Sequence, residues 1–134
     1  MGSRGTILVV DDEPGILEVL DETLSPYYDI MTAANGKEAL GLLEKKHPDI
    51  IISDVSMPVM DGLELMTSLR RMDLSVKIPL LFLSARGQIA DVEKGLQMGA
   101  YGYVVKPFLP TQLTLKVDEM FEKLATRRKM KQTQ

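Results

Sequence analysis

The chain has 134 residues, 45% hydrophobic and 26% charged, the size and make-up of one globular domain with its own core. It has no cysteine and one histidine, His47, which excludes disulfides, zinc-thiolate sites, thiol nucleophiles and multi-histidine metal centres. A formal net charge of -3 is too modest to predict a nucleic-acid surface, and the basic run Arg127, Arg128, Lys129 and Lys131 reads as a solvated tail.

Met1-Gly2-Ser3 resembles a cloning scar and is set aside. Thr6 to Val10 is a short aliphatic strand that stops at Asp11-Asp12-Glu13-Pro14. Pro14 suits a first helical turn, with Asp12 or Glu13 as its cap. Apolar residues then recur at helical spacing to Leu24, and Ser25-Pro26 ends that helix. Tyr28 to Ala33 is a second strand. Asn35-Gly36-Lys37-Glu38 has the form of a capping box, opening a second helix to about Lys46.

Ile50-Ile51-Ile52-Ser53-Asp54 is apolar enough to be covered on both faces, as central strands of parallel sheets are. Asp61-Gly62-Leu63-Glu64 repeats the capping pattern and opens a third helix to about Met72. Ile78 to Leu83 is a fourth strand, followed by Ser84-Ala85-Arg86. Ile89 to Met98 is a fourth helix, closed by Gly99. Tyr101 to Val105 is a fifth strand, running into Lys106-Pro107. Pro110 starts a fifth helix with an apolar stripe from Leu113 to Leu124; Leu109 stands where a polar cap is common, so a loose start is expected.

Strict alternation of five strands with five helices predicts a doubly wound parallel α/β sheet with right-handed crossovers. The order that suits this length is 2-1-3-4-5, whose switch point lies between the first and third strands. Asp11, Asp12 and Asp54 then share one crevice. Carboxylates so crowded repel unless a cation neutralises them, and Mg²⁺, which favours hard oxygen ligands, is the natural ion. Ser84 and Lys106 at neighbouring strand ends supply the hydroxyl and positive charge that a phosphoryl group needs. No phosphate-binding glycine loop follows the first strand, so a nucleotide is not expected. With no cysteine, the best nucleophile is a carboxylate.

Leu8-Val9-Val10-Asp11-Asp12-Glu13, Asp54-Val55-Ser56-Met57-Pro58-Val59-Met60-Asp61-Gly62, Leu83-Ser84-Ala85 and Gly99-Ala100-Tyr101-Gly102-Tyr103-Val104-Val105-Lys106-Pro107-Phe108 together resemble the response-regulator receiver domain of two-component signalling. The resemblance covers residues 5–124 and leaves 125–134 as a tail or the start of a linker. It implies a flavodoxin-like fold and a phosphoacceptor, Asp54, served by a sensor histidine kinase or phosphotransfer protein. Asp11, Asp12, Asp54 and the backbone carbonyl of Ser56 are implied Mg²⁺ ligands, with Mn²⁺ as a substitute, and Ser84 and Lys106 are implied to bind phosphoryl oxygens. Ser84 and Tyr103 are the implied switch pair, controlling the surface of the fourth helix, fifth strand and fifth helix. Ser56 and Arg86 occupy positions that tune the lifetime of the aspartyl phosphate. A cis Lys106-Pro107 bond is implied as well.

The expected protein is therefore a signalling switch that catalyses its own phosphorylation and dephosphorylation, not a turnover enzyme. An aspartyl-phosphate phosphatase would carry an acid two residues after its nucleophile, where this chain has Ser56. A degenerate receiver would have lost part of the Asp11, Asp12, Asp54, Ser84 and Lys106 set, and a flavin binder would have a Ser/Thr-rich loop after the first strand. Met57 and Met60 read equally as a partner-facing rim and as core filler. No apolar run nears the roughly 20 residues of a membrane span, so a cytoplasmic chain is expected, without membrane contact. Tyr101-Gly102 and Val117-Asp118-Glu119-Met120 depart from the pattern of winged-helix regulators that dimerise on DNA. They point away from that output and from nucleic-acid contact by this domain, though a phosphorylation-dependent homodimer stays open.

Overall fold

Ten elements alternate along the chain: β1 (Thr6–Val10), α1 (Pro14–Leu24), β2 (Asp29–Ala33), α2 (Gly36–Leu43), β3 (Ile50–Asp54), α3 (Gly62–Arg71), β4 (Leu80–Ala85), α4 (Ile89–Gln97), β5 (Gly102–Lys106) and α5 (Pro110–Gln132). The computed structural model describes residues 3–132, so Met1 and Gly2 of the expected scar lie outside the described residues. Ser3 is tied in, its hydroxyl accepting the Asp29 N–H at 3.0 Å.

All strand pairs are parallel and the sheet order is β2-β1-β3-β4-β5, as the alternation predicts. Ile50, Ile51 and Ile52 have no solvent exposure because apolar layers cover both faces of β3. On one face Leu8, Ile51 and Phe82 pack with Leu65, Leu69 and Val92 of α3 and α4. On the other, Val9, Ile52 and Leu83 pack with Leu20 of α1 and Leu113, Val117 and Met120 of α5. Alternate residues of each strand thus serve opposite layers.

Several boundaries move, each for a local reason. Tyr28 stays outside β2 because its N–H bonds back to Leu24, closing the last turn of α1. Ile78 does the same with Leu74, and Pro79 has no N–H to give a ladder, so β4 starts at Leu80. α2 ends at Leu43 rather than Lys46, where Lys45 and Lys46 both bond to the Leu42 carbonyl in a tightened turn.

Capping follows the expected pattern at α3, where Asp61 and Glu64 satisfy each other's backbone N–H groups. At α1 it does not: Glu13 holds the cap position without a side-chain bond, and Asp11 instead accepts the Glu13 N–H at 2.9 Å. Leu109 offers no cap, but Gln112 reaches back to accept its N–H at 2.9 Å, half of a capping box. The Lys106-Pro107 bond is cis.

Candidate functional site

The parallel sheet delivers its polar residues to one edge. Asp11 follows β1, its N–H still bonded to Ala33; Asp54 ends β3, Ser84 lies near the end of β4, and Lys106 ends β5. β1 and β3 are neighbours, while β2 and β4 leave them in opposite directions, so the first two carboxylates face each other across the switch point.

Lys106 bridges them. Its Nζ lies 2.8 Å from Asp11 Oδ2, 3.3 Å from Asp54 Oδ2 and 3.6 Å from Glu13 Oε1. Asp11 is fully buried and Asp54 is 5% exposed. Burial pushes the Asp54 carboxyl above its usual range, and the Asp11 charge pushes the same way. The ammonium of Lys106 and the Ser56 N–H, 3.4 Å from Asp54 Oδ1, only partly offset this. At Lys106 burial acts to release the proton, but Asp11 and Asp54 together outweigh it and raise its pKa.

Carboxylate oxygens of Asp11, Asp12, Glu13 and Asp54 lie within 4.8 Å of one another. Glu13 is an addition: sequence reading considered it only as a cap, although its place in a run of three acids after β1 was the available signal. Four carboxylates facing one ammonium leave an excess of negative charge, and an all-oxygen donor set suits a hard divalent cation.

The remaining candidates sit around this cluster. Ser84 is buried, with its hydroxyl donating to the Ala85 carbonyl at 3.0 Å. Ser56 is exposed on the loop after β3, and Arg86 on the loop after β4. Tyr103 is 40% exposed and lines an open cleft of about 550 Å³ with Arg86, Pro107, Gln112 and Lys116. Met57 is buried in the α3 layer and is filler, while Met60 packs on Gly36.

The loop beyond Asp54 is held tightly. Met60 N–H bonds to the Pro58 carbonyl at 2.7 Å in a three-residue turn that sets Val59 at φ +68°, a strained angle for a β-branched residue. Gly36 donates to the Met60 carbonyl, and Gly62 to the Val55 carbonyl, each at 2.9 Å. A Cβ on Gly62 would stand 2.4 Å from the Asp54 carbonyl oxygen, so a side chain there must displace the phosphoacceptor candidate or α3.

Fold and site define a flavodoxin-like α/β protein with a lysine-bridged acid cluster at its switch point. The family described as "Response regulator receiver domain" matches residues 7–118, and the chain belongs to it. It is similar to "Probable transcriptional regulator ycf27" of Cyanophora paradoxa, 41% identical over 122 residues, covering 90% of this chain and 50% of that protein. It is also similar to "Alkaline phosphatase synthesis transcriptional regulatory protein PhoP" of Bacillus subtilis, 41% identical over 112 residues, covering 83% of this chain and 46% of that one. The chain thus spans about half the length of the curated relatives it matches. Among solved structures, the chemotaxis response regulator CheY4 of Vibrio cholerae superposes with a TM-score of 0.79 at 36% identity, covering 86% of this chain and 97% of that one. These relatives' names run against the expectation drawn from Tyr101-Gly102 and α5, since they are transcriptional regulators. Among the described residues no helix is long and apolar enough to cross a membrane.

Proposed function

We propose that Asp54 accepts a phosphoryl group from a phosphohistidine on a sensor histidine kinase or phosphotransfer protein, and that this switches the α4-β5-α5 surface. The observation that carries the reading is the Lys106 bridge between two buried carboxylates at the mouth of the sheet. An Asp54 oxygen forms the new bond to phosphorus as the phosphorus–nitrogen bond breaks, and the imidazole leaves with that electron pair. Asp11, Asp12, Asp54 and the Ser56 carbonyl would hold Mg²⁺, or Mn²⁺ in its place. When bound, the ion supplies charge neutralisation for the transferring group.

Lys106 is placed to keep an ammonium beside the phosphoryl oxygens, and Ser84 to turn its hydroxyl from the Ala85 carbonyl toward them. A phosphoryl group adds about -1.5 to -2 charge, enough to draw both inward, and Tyr103 then moves into the space that Ser84 leaves. Ser56 and Arg86 flank the site and set how quickly water reaches it. The chain acts as a cytoplasmic switch that catalyses its own phosphorylation and dephosphorylation.

Residues 5–124 form the receiver and 125–134 begin a linker, a division favoured by the continuation of α5 as a helix. The likeness to transcriptional regulators of about twice the length favours a DNA-directed output, with phosphorylation-dependent pairing of two receivers as the coupling step. The test is intact mass after incubation with acetyl phosphate, with Mg²⁺ or EDTA, for wild type and Asp54→Asn. One added phosphoryl group that needs both the ion and Asp54 is expected. Equal labelling of Asp54→Asn, or no labelling of wild type while Mg²⁺ binds, overturns the assignment.

A further inference from the structure

The rim opposite the acid cluster carries the reverse charge. Three adjoining depressions of about 380, 430 and 310 Å³ run beneath the sheet from α3 to the end of α5; the first two share Arg70 and Met98, the last two share Val76 and Arg127. Their lining includes Arg70, Arg71, Lys77, Arg127, Arg128 and Lys131 and not one carboxylate. In a chain of net charge -3, this is a strong segregation.

Two of these cations are held in place by the fold. Arg127 donates to the Val76 carbonyl at 2.8 Å, which spends a hydrogen bond and no charge, and Arg128 pairs with Asp49 at 2.8 Å. Arg70, Arg71 and Lys77 make no ion pair among the described residues, and Asp73, in the loop between α3 and β4, is the nearest acid in sequence. All six cations are exposed. A small anion is held by buried, converging donors; an open row of exposed cations from three elements instead suits an extended partner of uniform negative charge.

We propose that this groove is a contact surface for the phosphate backbone of duplex DNA. The choice of DNA over an acidic polypeptide rests on the DNA-directed output proposed above. It revises the expectation, drawn from net charge, that this domain makes no nucleic-acid contact. It also gives the basic end of α5 a role beyond solvation.

The test is fluorescence anisotropy of a labelled 20-base-pair duplex titrated with this chain between 25 and 100 mM KCl. Neutralising about four phosphates gives a log–log salt slope of about -3.6, so affinity is expected to fall roughly 100-fold across that range. Arg70→Glu/Lys77→Glu is expected to weaken binding at least tenfold. Lys37→Glu/Lys94→Glu, with the same net charge but on α2 and α4 outside the groove, is expected to bind as wild type does. Circular dichroism establishes that both variants fold, and Asp54 labelling by acetyl phosphate stays intact in both. No saturable binding at 25 mM overturns the proposal, as does equal loss in the two variants. Tighter binding of a labelled 20-residue poly-glutamate than of the duplex assigns the groove to an acidic protein and overturns the DNA contact. None of these results touches the output reading, which is tested by transcription from a target promoter.

Discussion

The two rims of this sheet handle charge by opposite rules. At the carboxyl end of the strands Asp11, Asp54 and Lys106 are withdrawn from water and lie within 3.3 Å of a partner. At the amino end the cations are exposed and mostly unpaired. Buried charges are poorly screened and depend on one another, so removing one leaves its partners uncompensated. Exposed charges are screened within about 10 Å at ordinary ionic strength and act independently. The upper rim is therefore suited to a switch, where one added charge reorders the whole set. The lower rim is suited to a salt-sensitive contact, where each charge adds a little.

Lys106→Met should separate the rules most sharply. It strands two buried carboxylates, and in EDTA a loss of roughly 3 kcal/mol in urea-unfolding free energy is expected. Mg²⁺ should stabilise this variant more than it does wild type, because the ion becomes the only counter-charge left. A loss below about 1 kcal/mol would show that Asp11 and Asp54 are not coupled through this lysine.

Tyr28 offers a buried polar contact away from both rims. Its ring stacks on Phe121 at 4.6 Å and its hydroxyl donates to Asp118 at 2.7 Å. Burial, then the bond to Asp118 and its charge, push the phenol up to about 12, with Arg4 opposing. The folded state thus holds this proton more tightly than the unfolded chain does. The linked stability is fully present below pH 10 and is lost as pH climbs through about 12. Tyr28→Phe should cost roughly 1.5 kcal/mol at pH 7 and flatten that alkaline slope. Absorbance at 295 nm should lose the phenolate component near pH 12.

The parts of this molecule legible in its sequence are those that repeat along a short stretch. Ile50-Ile51-Ile52 announces a strand covered on both faces, and polar residues directly after apolar runs mark the strand ends, so sheet order alone brings Asp11, Asp54 and Lys106 together. What escaped notice is assembled from a distance or by substitution. Gln112 caps α5 in place of residue 109, and Asp11 rather than Asp12 or Glu13 takes the Glu13 N–H. α5 runs past Leu124 although its apolar periodicity ends there. Its last turns are tied down by Arg127 and Arg128 reaching loops that are 51 and 79 residues away in sequence. The lower groove was hidden for the same reason, since a net charge averages over the very segregation that defines it.

Strain gives a smaller test beside the upper rim. Val59 is 73% exposed at φ +68°, so its side chain contributes little packing to offset the cost of that backbone angle. Val59→Gly should raise stability by about 0.5–1 kcal/mol, the relief of strain being partly offset by glycine's greater freedom in the unfolded chain. Acetyl-phosphate labelling of Asp54 should be unchanged. A loss of stability would mean that the valine side chain makes a contact worth more than the strain.

The smallest effect is expected where the geometry resembles the upper rim but the environment does not. Arg128 and Asp49 meet at 2.8 Å, the same distance as Lys106 and Asp11, yet their side chains are 58% and 26% exposed against 14% and 0%. Water and salt screen the first pair, and ordering a long arginine opposes what Coulomb attraction remains. Arg128→Ala should cost under about 0.5 kcal/mol and lose even that at 1 M salt, where the Debye length falls to about 3 Å. Lys106→Met should stay destabilised at the same salt. If the two variants respond alike to salt and in size, burial is not what distinguishes the rims, and the separation of a buried switch from an exposed contact surface fails with it.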